Sequence, residues 1–161
     1  MKPWLYVGLA AGLVPIQTTL LEHLSVAGIR PDLCLIAAAL IGFFGGPVDG
    51  MMMGLLLGFE QDLFSAGDLG INLGTKAAIG LLAGLVGRYV AHVTPASVAP
   101  VMLGLSVGSG LAFVAAGAGG GETLTAIQSV LLPQALFDTL VGVALYWLLA
   151  ERFKRDDSLV S

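Results

Sequence analysis

Glu60 and Asp62 are two carboxylates two residues apart, the side-chain type that general acid and base catalysis uses. Such chemistry needs the carboxyl groups to face each other in a cleft that excludes water. A two-residue step along a helix instead turns them onto diverging faces. Asp62 is therefore assigned to capping the turn that leads to Gly70. Asp138, in the run PQALFDTLVG, and Lys76 are ionisable groups in apolar surroundings, and a proton relay or an ion site is the chemistry they would carry. A relay needs a chain of such groups, and the sequence adds only Gln134. The preferred reading is structural: Asp138 is satisfied by Lys76, by hydroxyls such as Thr139 or by a neutral protonated state, with its pairing to Lys76 the specific expectation; Arg30 is likewise read as a structural polar residue.

His23 and His92 stand alone, with no ligand type at metal-binding spacing. The single cysteine, Cys34, lies in an apolar run and reads as a small buried hydrophobe. No glycine-rich phosphate loop follows a strand, and there is no nucleophile elbow. Basic residues are too few for nucleic acid. The sequence thus offers no catalytic constellation, and no cofactor or metal is expected.

The elements that position these residues follow from composition. Of 161 residues, 57% are hydrophobic and 11% charged, with a mean hydropathy of +0.92. Soluble domains carry roughly 25% charged residues. A water-soluble core cannot absorb this much apolar surface, so the fold class expected is an all-α, polytopic integral membrane protein, a compact bundle of about six transmembrane helices forming one domain. The spans fall at about 4–21, 32–45, 47–64, 69–90, 99–116 and 126–150, followed by a short basic tail at 151–161. Pro15 should kink the first, Asp68 is placed to cap the fourth, and the breakers Pro95 and Pro100 mark the start of the fifth. The second and third form either two short tilted helices or a re-entrant hairpin, because Gly45, Gly46 and Pro47 leave almost no loop. The net charge of -4 resides in loops and chain ends.

With six crossings, Lys2, Arg88, His92, Arg152, Lys154 and Arg155 share a side, which the positive-inside rule makes cytoplasmic together with both termini. Arg30 and Lys76 fall opposite. The tail would lie at the anionic inner leaflet. Trp4, Tyr6, Tyr89, Tyr146 and Trp147, toward the span ends, read as an aromatic belt.

Glycines recur every fourth residue at Gly42, Gly46, Gly50, Gly54 and Gly58. Residues four apart share a helix face, so the third span carries a stripe without side chains. In lipid, helices associate through close packing on such residues, either within one bundle or with a helix of another protein. Packing within this bundle is the first reading of the stripe and docking of another protein's helix the second; for a partner helix, this stripe with Asp62 and Gly70 at its outer end is the leading candidate surface.

The runs RPDLCLIAAALIGFF and GLLLGFEQDLFSAGDLGINLG resemble the bacterial rod shape-determining MreD family. Arg30, Pro31, Gly54, Gly58, Asp62, Leu69 and Gly70 match that family's pattern as they stand. The likeness is specific over about 30–84 and elsewhere rests on length and hydropathy. The link between the second and third spans is uncharged apart from Asp49, where family members can carry basic residues.

The resemblance implies a non-enzymatic scaffold in the bacterial inner membrane, within the cell-wall elongation machinery. MreC would be the direct partner, with RodA, a penicillin-binding transpeptidase and MreB in the wider complex. It also implies similarity in fold to the substrate-binding subunits of energy-coupling transporters. A vitamin-type binding subunit of such a transporter is the alternative, and it requires an outward pocket rich in polar and aromatic groups.

Overall fold

Asp32 and Gly46 bracket the first well-defined helix, α1 (Leu33–Gly45). The Asp32 side chain accepts the Leu35 N–H at 3.0 Å, the N-cap bond that satisfies an otherwise orphaned donor. Gly46 ends the helix with φ 98°, a conformation that only glycine adopts readily. Pro47 opens α2 (Pro47–Phe64) directly after it. The structure, a computed structural model, describes residues 29–64, 70–89, 94–116 and 130–160 with isolated positions between 8 and 19; past Glu151 it describes the backbone only.

Gly70, at φ 110°, leads into α3 (Ile71–Tyr89). Helix α4 (Pro95–Ala115) begins with a capping box, in which Thr94 accepts the Ser97 N–H and the Ser97 hydroxyl accepts the Thr94 N–H. Helix α5 (Leu132–Val160) carries Pro133 in its first turn, where the missing N–H has no intrahelical partner to lose. Among the described residues every element is a helix.

Backbone contact at glycines sets the arrangement of the first three helices. A Cβ at Gly50, Gly54 or Gly58 would overlap the backbone carbonyl oxygens of Gly80, Lys76 and Asn72, respectively. Each four-residue step forward on α2 is thus a four-residue step back on α3, the register of an antiparallel pair. Gly42 of α1 is pressed against Gly80, Gly84 and Gly50, so all three backbones converge there. The carbonyls aimed at glycine Cα atoms are placed for weak Cα–H···O contacts, each worth about 0.5–1 kcal/mol.

Helices α4 and α5 pair with each other, and this pair meets the α1–α3 group along a thinner seam. Phe43, Val98, Met102 and Tyr146 fill much of that seam. Tyr146 packs edge-on to Phe43 at 6.5 Å and stacks on Phe44 at 5.2 Å. Its expected place in an aromatic belt is therefore corrected: its ring is buried between α1 and α5, whereas Tyr89 and Trp147 are exposed.

Several expected boundaries shift. The fifth helix starts at Pro95, not residue 99, because Thr94 and Ser97 cap it and Pro95 suits its first position, while Pro100 lies inside the helix. The sixth is α-helical from Leu132, directly after a helical Val130 and Leu131, and continues to Val160, so the expected tail is largely a continuation of α5, while 126–129 lie outside the described residues. The fourth and second agree to within about two residues, and the third matches at both ends. Pro15 and the other described positions between 8 and 19 are helical, while the rest of the first span, Asp68 and Leu69 lie outside the described residues. Two helices, Pro95–Ala115 and Leu132–Glu151, are long and apolar enough to cross a membrane. Helix α1 is apolar, but its 13 residues extend only about 20 Å.

Candidate functional site

Two polar nodes lie within the apolar packing, and both begin at helix N-termini. Asp62, only 2% exposed, sits one turn beyond Gly58 on the face of α2 that touches α3. Its carboxylate accepts the backbone N–H groups of Gly70 at 2.9 Å, Asn72 at 3.2 Å and Leu73 at 3.0 Å. One side chain thereby satisfies donors at the opening of α3, and its negative charge faces the positive end of that helix. Gly58 lets α2 approach closely enough for this bond set to form.

One turn into α3, the second node begins. The Lys76 ammonium, 1% exposed, donates to the Asn72 side-chain oxygen at 2.8 Å and pairs with the Asp32 carboxylate at 3.0 Å. It also lies 5.9 Å from the centre of the Phe113 ring. Asp32 further accepts the Gln17 side-chain N–H at 3.3 Å, and Gln17 in turn accepts the Cys34 N–H at 3.1 Å. Asp138, fully buried on α5, accepts the Asp32 backbone N–H at 2.7 Å with one oxygen and the Ser106 hydroxyl of α4 at 2.5 Å with the other.

These bonds form a continuous polar path from Asp62 through Asn72, Lys76 and Asp32 to Asp138 and Ser106, and it reaches each of α1 to α5. The expected pairing of Lys76 with Asp138 is corrected: the ion pair is Lys76 with Asp32, and Asp138 joins through the Asp32 backbone. Thr139 does not serve Asp138, because its hydroxyl donates to the Ala135 carbonyl. Arg30 is exposed just before α1. Glu60 lies off the glycine face, with a buried side-chain oxygen lacking a hydrogen-bond partner.

The glycine stripe is an intramolecular contact. Gly50, Gly54 and Gly58 are covered by α3, while Gly46 meets nothing within 4 Å and serves the turn. Gly70 likewise contributes its backbone conformation and its N–H. Of the two readings of the stripe, packing within the bundle is the one found, and the docking of a partner's helix on it is corrected, since a helix of the same chain already lies there.

Sequence reasoning passed over Asp32, Asn72, Ser106 and Gln17. The spacing Asn72 to Lys76 is a four-residue helical pair, and Asp32 directly precedes an apolar run as an N-cap does, so both carried a local signal. Ser106 and Gln17 carried none. Elsewhere, Pro95, Ala99, Leu140, Val143, Ala144 and Trp147 line an open, mostly apolar groove of about 460 Å³ between α4 and α5. Among the described residues no group of acidic, His or Cys side chains is placed to hold a metal ion. Compared with protein-family models, curated proteins and solved structures, the chain matches none.

Proposed function

We propose that this chain is a multi-pass protein of the bacterial inner membrane, a six-helix bundle with both termini cytoplasmic. In this reading it acts as a non-enzymatic scaffold of the wall-elongation complex, in the manner of the MreD family. MreC is its direct partner, and RodA, a penicillin-binding transpeptidase and MreB belong to the wider complex.

One observation carries the reading. Gly54, Gly58, Asp62 and Gly70, which form most of the resemblance, meet in a single piece of geometry. The two glycines bring α2 onto α3, Asp62 caps α3, and Gly70 makes the turn that presents its N–H to Asp62. A motif whose parts depend on one another in space is a stronger pointer than the same residues scattered. The membrane setting is supported by the two helices long and apolar enough to span, and by ionisable groups that are buried and hydrogen-bonded.

The test is purification of the tagged chain in mild detergent with identification of what comes with it. MreC is the expected companion. Folded chain that repeatedly lacks MreC, or that retains a vitamin instead, would replace this reading with the transporter-subunit alternative.

A further inference from the structure

Asp138 occupies the place where the α4–α5 pair is joined to the α1–α3 group by polar contact. It bonds the Asp32 N–H across the seam and the Ser106 hydroxyl on its own side. The charges that act on it are those of Asp32 and Lys76. From α1 it is faced by Asp32, with Cys34 further along, and from α3 by Lys76. From α4 it meets the Ser106 hydroxyl, on a helix that has no ionisable side chain. Among the described residues the node therefore holds two carboxyl groups for one ammonium, and Lys76 is already paired to Asp32.

A hydroxyl both donates and accepts, so the Ser106–Asp138 bond survives in either protonation state of Asp138. With the proton on Asp138, the carboxyl donates to Ser106, still accepts from Asp32, and the node is neutral. Without it, the hydrogen bonds remain but one negative charge is left uncompensated among apolar side chains, a state that water entry relieves. We propose that Asp138 is a proton-responsive latch: protonated, it holds the α4–α5 pair against α1–α3, and ionised, it loosens that seam. This depends on the node's geometry and charge, not on the identity of any partner.

The experiment uses the full chain in proteoliposomes, carrying Cys34→Ala with spin labels at Leu82→Cys on α3 and Leu148→Cys on α5, both exposed positions. Distances are measured from about pH 3.5 to about pH 9, a range that spans ordinary and strongly raised carboxyl groups. The expected result is a shift toward longer distances as pH rises. Asp138→Asn should abolish the shift and keep the short distance, since the amide accepts from Asp32, donates to Ser106 and carries no charge. Asp32→Asn should also abolish it, because Lys76 then compensates ionised Asp138. An unchanged distance in the parent protein overturns the proposal, and so does a shift that persists in either folded variant.

Discussion

The backbone carbonyl of Lys76 lies against the Cα of Gly54, with no room for a side chain between them. That contact fixes how far α3 approaches α2, and the Lys76 side chain leaves the same residue to meet Asp32. Packing and polar chemistry are thus coupled through one residue: the glycine register decides where the ammonium arrives.

Replacing Gly54 or Gly58 by leucine should prevent α2 and α3 from docking, because the obstructing atoms are backbone and cannot swing aside. The cost should be at least the 1–3 kcal/mol, roughly, of ordinary overpacking. Gly104→Leu and Gly108→Leu, at sites with nothing within 4 Å, serve as controls and should be tolerated. The yield of monodisperse protein in mild detergent reads the difference, and equal losses at all four sites would contradict the register described.

Asp62→Ala removes the acceptor of three backbone N–H groups at the start of α3. A loss of about 1–3 kcal/mol is expected from the stranded donors. Hydrogen exchange should quicken at Gly70, Asn72 and Leu73 first, and Asp62→Asn should lie between the two. Uniform exchange at α3 in wild type and Asp62→Ala would show the cap to be dispensable.

For Gly70, φ 110° places any L side chain in strained backbone. Gly70→Ala should lower thermal stability by about 1–3 kcal/mol, although there is open space for the methyl group. A neutral outcome would mean that the turn can adopt another conformation.

Lys76→Met should be worse than the double variant Lys76→Met with Asp32→Asn, because the single change leaves a carboxylate without its ammonium. A double-mutant cycle on thermal stability measures this coupling, expected at about 0.5–3 kcal/mol. The same cycle between Lys76 and Asp138 should give the smaller value, and the reverse ranking would reassign the ion pair.

The sequence made the helices legible where periodicity and breakers agreed. Pro47 and the glycines at four-residue spacing placed α2 at both ends, and Asp62 was readable as a cap because Gly70 followed at turn distance. The partner of Lys76 was not readable. Asp32 and Asp138 both border apolar runs, and the choice between them depends on how α5 crosses α1, a relationship between segments 106 residues apart. Nor could spacing decide whether the glycine stripe faced its own chain or another. Only the matching carbonyls at Asn72, Lys76 and Gly80 settle that, and carbonyls leave no mark in a sequence. Pro95 reads as a breaker in the sequence because its helix-starting role depends on Thr94, a cap formed with Ser97, and Pro100 sits inside the helix that follows.

Helix α5 has 29 residues, which at 1.5 Å each makes a rod of about 43 Å. A hydrocarbon layer of roughly 30 Å cannot contain it upright, so in the proposed setting its final turns stand clear of the lipid as a rigid stalk. Movement of the buried first half would then be carried mechanically to the aqueous side. A tilt too small to expose anything inside the bilayer becomes, at the far tip, a displacement that a cytoplasmic neighbour can feel.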